Sequence, residues 1–278
     1  MRVAVLGCTG MLGRYVHSYL DRFHECTGTT RETFNAGDAN TGNYAGAVGH
    51  VAAQHDVIIN CIGIIKPYIP DVGRLGTVRI NSVFPVLLSD LCDYYNTKLI
   101  HICSDCVYSG NKGQYIETDA PDATDIYART KSIEPEKASI IRTSFIGEDI
   151  KQSKSAGLLE WILKNKGNKI TGYTNALWNG VTCLQLAKTI NDIIKRDLFW
   201  TGVRHVFSNQ VVSKYEICKM VNDVYGLGLD VIPVEASVIE GSPINGVIDR
   251  SLQTVYDDIP QPEMGLYHQL IEQKKYFE

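Results

Sequence analysis

The feature that most constrains the fold is a series of three glycines directly after a short apolar run near the start of the chain. The run covers residues 2–6, the glycines are Gly7, Gly10 and Gly13, and an amphipathic segment follows through Leu20. This order predicts a strand, a tight turn and a helix. Glycines let a backbone approach a pyrophosphate closely, and a helix N-terminus stabilises its negative charge. The spacing G-x-x-G-x-x-G therefore indicates a dinucleotide-binding site, although three glycines at such a junction can also form a plain tight turn.

The residues after the second predicted strand, Glu25–Thr29, bear on the choice of dinucleotide. An NAD site usually has an acidic side chain here for the ribose hydroxyls, and this chain has Thr30 and Arg31 instead. Arg31 can pair with a 2′-phosphate, which favours NADPH over NADH, but it can equally be a solvated loop arginine. Asp38 and Ala39 stand where an adenine edge would rest, and Asp38 can also be a simple turn residue.

Strand and helix patterns alternate through the first half of the chain. An apolar run at residues 57–62, helical periodicity over 79–95 and another apolar run at 99–102 follow one another. This alternation predicts an α/β fold with a Rossmann-like, doubly wound parallel sheet. Open sheets of this kind bind ligands at the carboxyl ends of their strands. The cofactor-binding candidates at the end of the 57–62 run and on the following helix are Cys61, Ile62, Gly63 and Asn81.

The domain organisation predicted from these patterns has two parts. Residues 1–147 form a dinucleotide-binding domain that also holds the catalytic residues, and residues 148–278 form mainly a smaller substrate-binding lobe. The helix predicted over 184–195 and the strand predicted over 203–207 are expected to return to the first domain. A polar turn is predicted at 171–180. Further helices are predicted over 158–164 and from an N-cap at Ser213 through Tyr225.

Three residues are candidates for proton transfer and substrate orientation. Tyr127 and Lys131 are four residues apart, which places them one turn apart on the same helix face. A neighbouring ammonium favours the phenolate form of a tyrosine and lowers its pKa. Ser104 follows the apolar run at 99–102 and offers a hydroxyl to a substrate oxygen. The Y-x-x-x-K pattern is common on exposed helices, but behind a glycine fingerprint and a strand ending in serine it indicates an active site.

Composition restricts the compartment and the partners. The net charge of −4 gives no reason to expect nucleic acid or a membrane surface as a partner, and no targeting or membrane-spanning segment is evident. The eight cysteines are scattered within apolar runs, as expected for buried thiols in the cytoplasm. Cys103 and Cys106 form a C-x-x-C pair, but no second pair stands at zinc-like spacing, so no metal site is predicted.

The chain resembles the extended short-chain dehydrogenase/reductase family, and within it the dTDP-4-dehydrorhamnose reductases. The segments that carry the resemblance occur in order along nearly the whole chain: GCTGMLG, DVIINCIG, INSVFP, CSDCVYSG, QYIETDAPDATDIYARTK and IIRTSFIG. The resemblance implies that Tyr127 donates a proton, that Lys131 holds the nicotinamide ribose and lowers the tyrosine pKa, and that Ser104 orients the C4 carbonyl of a sugar. It also implies that the three fingerprint glycines cradle the pyrophosphate, with Thr9, Met11 and Leu12 beside them.

The chain departs from its relatives around Ser104. Serine stands where rhamnose reductases carry threonine, and Cys106 where they carry tyrosine. The triplet Ser104-Asp105-Cys106 resembles GDP-fucose synthase, in which a cysteine and a histidine epimerise the sugar before reduction. No histidine lies between Lys131 and His205, so the cysteine has no evident partner. The thiol therefore fits better as a pocket-lining group, with a bifunctional 3,5-epimerase/4-reductase as the alternative.

The function that the resemblance implies is NADPH-dependent reduction of the C4 ketone of a nucleotide-diphosphate 4-keto-6-deoxyhexose in deoxysugar and polysaccharide biosynthesis. A second alternative is a non-catalytic regulatory subunit, because the methionine adenosyltransferase β subunit also resembles these reductases. The helix carrying Lys131 is short, so a homodimer is possible but not implied. The substrate-binding candidates are Ser104, Asp105, Cys106, Arg142, Trp178 and Asn179.

Overall fold

The computed structural model describes residues 1–38, 44–149, 157–236 and 246–278. Its strands are β1 (Arg2–Leu6), β2 (Glu25–Thr29), β3 (Val57–Asn60), β4 (Lys98–Ser104), β5 (Ser139–Thr143), β6 (Phe145–Ile146), β7 (Lys169–Tyr173), β8 (Ala176–Trp178), β9 (Val181–Thr182), β10 (Gly202–His205), β11 (Val212–Ser213), β12 (Asp230–Val234) and β13 (Ile248–Asp249). Its α-helices are α1 (Met11–Leu20), α2 (Tyr44–Gln54), α3 (Ile69–Val78), α4 (Phe84–Tyr94), α5 (Ile126–Lys131), α6 (Leu158–Lys164), α7 (Cys183–Lys195), α8 (Lys214–Tyr225) and α9 (Leu266–Lys274).

Six parallel strands in the order β10-β5-β4-β3-β1-β2 form the central sheet. The chain starts inside this sheet, one strand from its β2 edge, and adds strands on both sides, so β1 and β3 flank the point where the strand order reverses. Ligands bind at the carboxyl ends of the strands beside such a point. The structure confirms the predicted α/β, Rossmann-like fold.

Both faces of the central sheet are buried, which explains the continuous apolar runs of its strands. Neighbouring residues of β3 point to opposite faces: Ile59 joins the core cluster that contains Val16 of α1 and Ile190 of α7, and Ile58 joins the cluster that contains Leu88 of α4. Each of these side chains is fully buried. Burial of one such side chain contributes about 1.5–3 kcal/mol, so the two clusters hold the helices firmly against the sheet.

The second half of the chain contributes to the central sheet and builds a small lobe beside it. Strand β10 pairs with β5 at one sheet edge, and α7 packs on α1. The lobe contains a three-stranded sheet in the order β11-β8-β13 and a parallel pair of β7 with β12. The polar turn predicted over residues 171–180 is wrong, because this stretch contains the end of β7 and all of β8. Exposed and buried residues alternate along β7, a two-residue period that its glycine and polar residues conceal.

One helical run, from Lys66 to Tyr94, is long and apolar enough to cross a membrane by length and composition, and its most apolar stretch of 18 residues has a mean hydropathy of 1.2. Half of its most apolar window is buried inside the protein. Phe84 and Leu88 in this run are fully buried in the core beneath the sheet. The packing of this run into the core of the Rossmann-like fold therefore explains its apolar character.

Candidate active site

The three fingerprint glycines form a turn that tolerates no side chain at its narrowest point. Gly7 has a positive φ of 79°, and its carbonyl accepts a hydrogen bond from the Gly10 N–H at 3.0 Å. A Cβ atom on Gly13 would lie 2.1 Å from the Gly7 oxygen, so α1 can pack this close to the turn only with glycine there. The N-terminus of α1 has no side-chain cap and no acidic residue in its first turn, which leaves its N–H groups available to an anion.

A cleft of about 290 Å³ opens at the carboxyl ends of β1, β3, β4 and β5. Ser104, Tyr127 and Lys131 line it together, so the structure brings the three proposed catalytic residues to one place. The other predicted residues that line the same cleft are Met11, Leu12, Cys61, Ile62, Gly63, Asp105 and Cys106. This arrangement fits a dinucleotide laid over the glycine turn with its reactive end beside Tyr127.

Tyr127 is 8% exposed, and this burial controls its chemistry. Burial raises the pKa of the Tyr127 phenol well above its usual range, the nearby Cys106 raises it further, and hydrogen bonding with Ser104 opposes the shift. The lowered tyrosine pKa expected from Lys131 is therefore wrong for this structure. A neutral phenol is the form that can give a proton to a nascent alkoxide, so the raised pKa suits a proton donor in the direction of reduction.

Lys131 lies under Gly63 at the floor of the cleft. Its ammonium donates to the Ile102 carbonyl at 3.4 Å, and burial lowers its pKa. A Cβ atom on Gly63 would lie 3.0 Å from the Lys131 Nζ atom, so glycine at this position keeps the ammonium accessible from the cleft. The Cys103 thiol donates to the Lys131 carbonyl at 3.3 Å and ties the end of α5 to β4.

Asp125 fixes the helix that carries Tyr127 and Lys131. Its carboxylate accepts a hydrogen bond from the Ala128 N–H at 3.1 Å as the N-cap of α5, and it pairs with the Lys66 ammonium at 2.7 Å. Helix α5 has only six residues, so little besides its cap and its packing holds it in place. Lys66 lines the cleft and was not among the predicted site residues.

Replacement of this cap gives a stability prediction. Asp125→Ala should lower the free energy of unfolding by about 1 kcal/mol and the melting temperature by about 2–4 °C. Burial raises the pKa of Asp125, but the hydrogen bonds from Lys66 and Ala128 outweigh burial and lower it overall. The stabilisation is therefore present above about pH 4 and is lost as the pH falls through the lowered pKa.

Thermal melts at a series of pH values measure this effect, and wild type and variant should converge in strongly acidic buffer. Lys66→Gln is the matched control, because it removes the exposed ion pair and keeps the cap. That control should change stability by less than about 0.5 kcal/mol. Equal losses in both variants would show that the ion pair, and not the cap, holds α5.

Cys106 lacks the features of an activated thiol. Burial and the neighbouring Asp105 raise its pKa to about 11, and the Arg250 and Lys66 cations oppose this shift. Its backbone N–H donates to the Ser104 hydroxyl oxygen at 3.1 Å, and hydrogen bonding with Ser104 opposes the rise in the pKa of the thiol. His205, the first histidine after Lys131, contacts Tyr108 and the Gln253 carbonyl instead. A thiol with so high a pKa stays protonated at neutral pH, so little thiolate is present to abstract a proton next to a carbonyl.

Several residues that were predicted to contact ligands are buried in the protein interior instead. Arg142 is 1% exposed, donates to the Tyr108 hydroxyl at 2.7 Å and pairs with Glu134, so the prediction that it contacts substrate is wrong. Asn81 is also buried, and its amide exchanges hydrogen bonds with both backbone groups of Ile64. It supports the loop above β3 and does not reach the cleft.

Trp178 and Asn179 are corrected in the same way, since each is 4% exposed. Trp178 belongs to the core of the lobe, and its ring lies where a Cβ atom on Gly180 would be. Asn179 exchanges two hydrogen bonds of 2.8 Å with the backbone of Leu252. Both residues hold the lobe together, because their sequence neighbourhood forms strands and not the exposed turn that was predicted.

The predicted adenine end of the site lies beyond β2. Thr9 is exposed in the glycine turn, and Arg31 and Asp38 are exposed where the chain leaves the sheet. Asp38 accepts a hydrogen bond from the Asn35 amide at 2.9 Å, consistent with its role in a turn. Ala39 lies outside the described residues. The assignment of these residues to the cofactor stays a prediction.

Two cations at the lobe side of the site were missed from the sequence. Lys214 and Arg250 both act electrostatically on Asp105 and Cys106, although they lie more than a hundred residues away along the chain. No motif marks them, because their position depends on how the lobe sheet folds back on the Rossmann-like part. Among the described residues, no group of three His, Cys, Asp or Glu side chains could hold a metal ion.

Comparison with known proteins identifies the family of this chain. Residues 1–240 match the protein family described as RmlD substrate binding domain. The chain belongs to this family. Membership confirms the resemblance to extended short-chain dehydrogenases/reductases that the motifs indicated.

Individual relatives of this RmlD-family chain are distant. Methionine adenosyltransferase 2 subunit beta of Pongo abelii is 27% identical over 282 residues, covering 90% of this chain and 80% of that protein. The dTDP-4-dehydrorhamnose reductase of Bacillus anthracis, solved in complex with NADP, is 18% identical and superposes with a TM-score of 0.77, covering 98% of each chain. The reductase of Yersinia enterocolitica is 21% identical, with a TM-score of 0.77 and 98% of each chain covered.

Proposed function

We propose that this RmlD-family chain is an NADPH-dependent reductase of the C4 ketone of a nucleotide-diphosphate 4-keto-6-deoxyhexose. The observation that carries the proposal is the meeting of Ser104, Tyr127 and Lys131 in one cleft at the reversal point of the sheet. A phenol, a hydroxyl and an ammonium held together in one cleft are groups that can orient a ketone and deliver a proton to it during reduction.

The fit of a nicotinamide dinucleotide is supported by the uncapped α1 N-terminus and by the glycine turn. The Bacillus anthracis relative was solved with NADP, and exposed Arg31 offers a charge to a 2′-phosphate. When bound, the nicotinamide supplies the hydride. On this proposal, Lys131 holds the ribose, Ser104 holds the carbonyl oxygen, and Tyr127 gives its proton to that oxygen as the alcohol forms.

The test begins with ligand identification. Nucleoside diphosphates with uracil, thymine, guanine and cytosine bases are screened for thermal stabilisation in the presence of NADPH, because a ligand bound to the native state raises the melting temperature. Ketosugars linked to the best nucleotide are then tested for NADPH oxidation at 340 nm. Substrate-dependent oxidation supports a reductase, and its absence with every ketosugar contradicts one.

The second candidate function is a regulatory subunit, because methionine adenosyltransferase 2 subunit beta is among the curated proteins to which this chain is similar. It predicts NADPH binding without turnover of any ketosugar nucleotide. Retention of Ser104, Tyr127 and Lys131 together in the cleft favours the enzyme. The NADPH oxidation assay separates the two functions.

Epimerisation gives a third test of the site. The raised pKa of Cys106 means that its thiolate is scarce at neutral pH, so the sugar should be reduced without exchange of the hydrogens next to the ketone. We expect no deuterium at C3 or C5 of a product made in heavy water, as measured by mass spectrometry and NMR. Cys106→Ala should keep reductase turnover, and label that disappears in this variant would instead identify the thiol as an epimerising base.

A further inference from the structure

Two aromatic residues that follow α9, Tyr276 and Phe277, lie against the helix that begins at the glycine turn. The centre of the Phe277 ring lies 4.8 Å from that of Tyr15 on α1, and the Tyr276 ring stacks on Tyr15 at 6.1 Å. The hydroxyl oxygens of Tyr276 and Ser18 are 3.3 Å apart and share a hydrogen bond. These two residues, the aromatic clasp, therefore hold α1 from its outer side.

Helix α9 gives the clasp a defined position, because it is bound to the start of α7. The side-chain oxygen of Gln269 accepts from the Thr182 N–H at 3.0 Å, and that of Gln273 accepts from the Leu184 N–H at 3.2 Å. Both glutamines are buried. Helix α7 in turn packs on α1, so the clasp and α1 are attached to the same support.

Arg14, the residue directly after Gly13, connects the clasp to the glycine turn. Its guanidinium carbon lies 4.0 Å from the centre of the Phe277 ring, and its Nη1 atom donates to the Glu148 carbonyl at 3.4 Å. Its backbone N–H donates to the Gly10 carbonyl at 3.1 Å, which is the hydrogen bond that starts α1. Arg14 therefore closes the turn with its backbone and contacts the clasp with its side chain.

The charge of Arg14 makes this contact relevant to an anionic ligand. A cation near a helix N-terminus opposes the helix dipole, and the first turn of α1 has no acidic residue to balance it. The face of the Phe277 ring attracts the guanidinium and offsets part of this cost. The charge adds to the positive potential of the helix end and acts on an anion there without a direct contact.

We propose that the aromatic clasp sets the affinity of the chain for its dinucleotide, because it positions the N-terminus of α1 and the Arg14 charge. The inference rests on one part of the proposed function, namely that the glycine turn holds a pyrophosphate. Tyr276, Phe277 and Arg14 are positioning residues on this account. They act on the ligand through the helix end and do not line the cleft.

Isothermal titration of the full chain with NADPH and with ADP-ribose tests the clasp, because ADP-ribose has the pyrophosphate but no nicotinamide. Phe277→Ala should raise the dissociation constants of both ligands about tenfold. Phe277→Tyr keeps the ring and should restore both affinities to within about twofold of wild type. Arg14→Gln should weaken both ligands about tenfold, and the double variant should fall well short of the roughly hundredfold loss that independent effects would give.

Tyr256→Ala is the matched control. The Arg204 guanidinium lies 3.4 Å from the centre of the Tyr256 ring, so this variant also removes a part-exposed ring from beneath an arginine. Tyr256 is 38% exposed and Phe277 is 42% exposed. The control should keep the affinity of wild type for both ligands. Titrations are made well below the melting temperature of each variant, so that a loss of stability alone leaves the dissociation constants unchanged.

Three results would overturn the clasp: wild-type NADPH affinity in Phe277→Ala, a loss that Phe277→Tyr does not restore, or independent losses in the double variant. Absence of binding of NADPH and ADP-ribose to wild type would overturn the clasp together with the dinucleotide site. Failure of the reductase proposal has a different signature. NADPH binding that depends on Phe277 and Arg14, without turnover of any ketosugar nucleotide, would retain the clasp and reject the reaction.

Discussion

Tyr127→Phe should remove most turnover, by about a factor of 10²–10⁴, while the affinity for NADPH stays unchanged. The substitution deletes one hydroxyl in a buried position and keeps the ring that packs in the cleft wall. Proton delivery to the nascent alkoxide then depends on water, which the burial of this site disfavours. Stopped-flow measurement of NADPH oxidation gives the rate, and fluorescence titration gives the cofactor affinity.

The pH dependence of the wild-type rate checks the same assignment. Because burial raises the pKa of Tyr127, the phenol stays protonated through the neutral range and beyond. The rate should therefore show no fall between about pH 7 and pH 9 from loss of the donor's proton. Tyr68→Phe is the control, since this tyrosine directly follows Lys66 and Pro67, which line the cleft, but does not line the cleft itself. Full turnover in Tyr127→Phe would reject the proposed mechanism.

Gly13→Ala should abolish dinucleotide binding and destabilise the protein. The added Cβ atom would lie 2.1 Å from the Gly7 oxygen and 2.8 Å from the Gly7 carbonyl carbon, and both are backbone atoms that cannot rotate away. Helix α1 must then move off the turn, which removes its N–H groups from the pyrophosphate position. We expect a loss of about 3 kcal/mol in unfolding free energy and at least a hundredfold loss in NADPH affinity.

The matched control for this substitution is Gly265→Ala at the start of α9. Its new Cβ atom would make ordinary contact with the Gln210 side chain at 3.5 Å. That variant should lose less than about 1 kcal/mol and keep its NADPH affinity. Urea denaturation and cofactor titration measure both quantities. An NADPH affinity in Gly13→Ala equal to that of wild type would show that the dinucleotide binds elsewhere.

Local sequence patterns predicted the central sheet and the grouping of Ser104, Tyr127 and Lys131 in one cleft, since both depend on short-range signals. A buried parallel strand appears in the sequence as a continuous apolar run. The glycine turn allows almost no residue other than glycine at the Gly13 position. The motif residues Ser104, Tyr127 and Lys131 follow strands and helices whose ends converge by the topology of the sheet alone. The order of elements was therefore enough to bring them together.

The lobe was predicted poorly because its contacts are long-range. The stretch that holds Trp178 and Asn179 was predicted to be an exposed turn, but Trp178 ends a short strand that pairs with residues 212–213 and 248–249, and Asn179 binds the backbone of Leu252. Arg142 was predicted to contact the substrate, but its guanidinium donates to the buried Tyr108 hydroxyl and pairs with the Glu134 carboxylate. The sequence also led to an expected lowering of the Tyr127 pKa, whereas the structure raises it. The four-residue spacing indicates that Lys131 is a neighbour, but it does not show how deeply the phenol is buried.

The position of β10 has a consequence for how this protein is made on the ribosome. The outermost strand next to β5 is residues 202–205, and the partner of α1 is α7 at residues 183–195. A nascent chain that has emerged only through β5 presents an open strand edge and an uncovered apolar helix face. Open edges of this kind recruit other strands, so this intermediate is exposed to misassembly and to capture by chaperones until residues 183–205 have emerged.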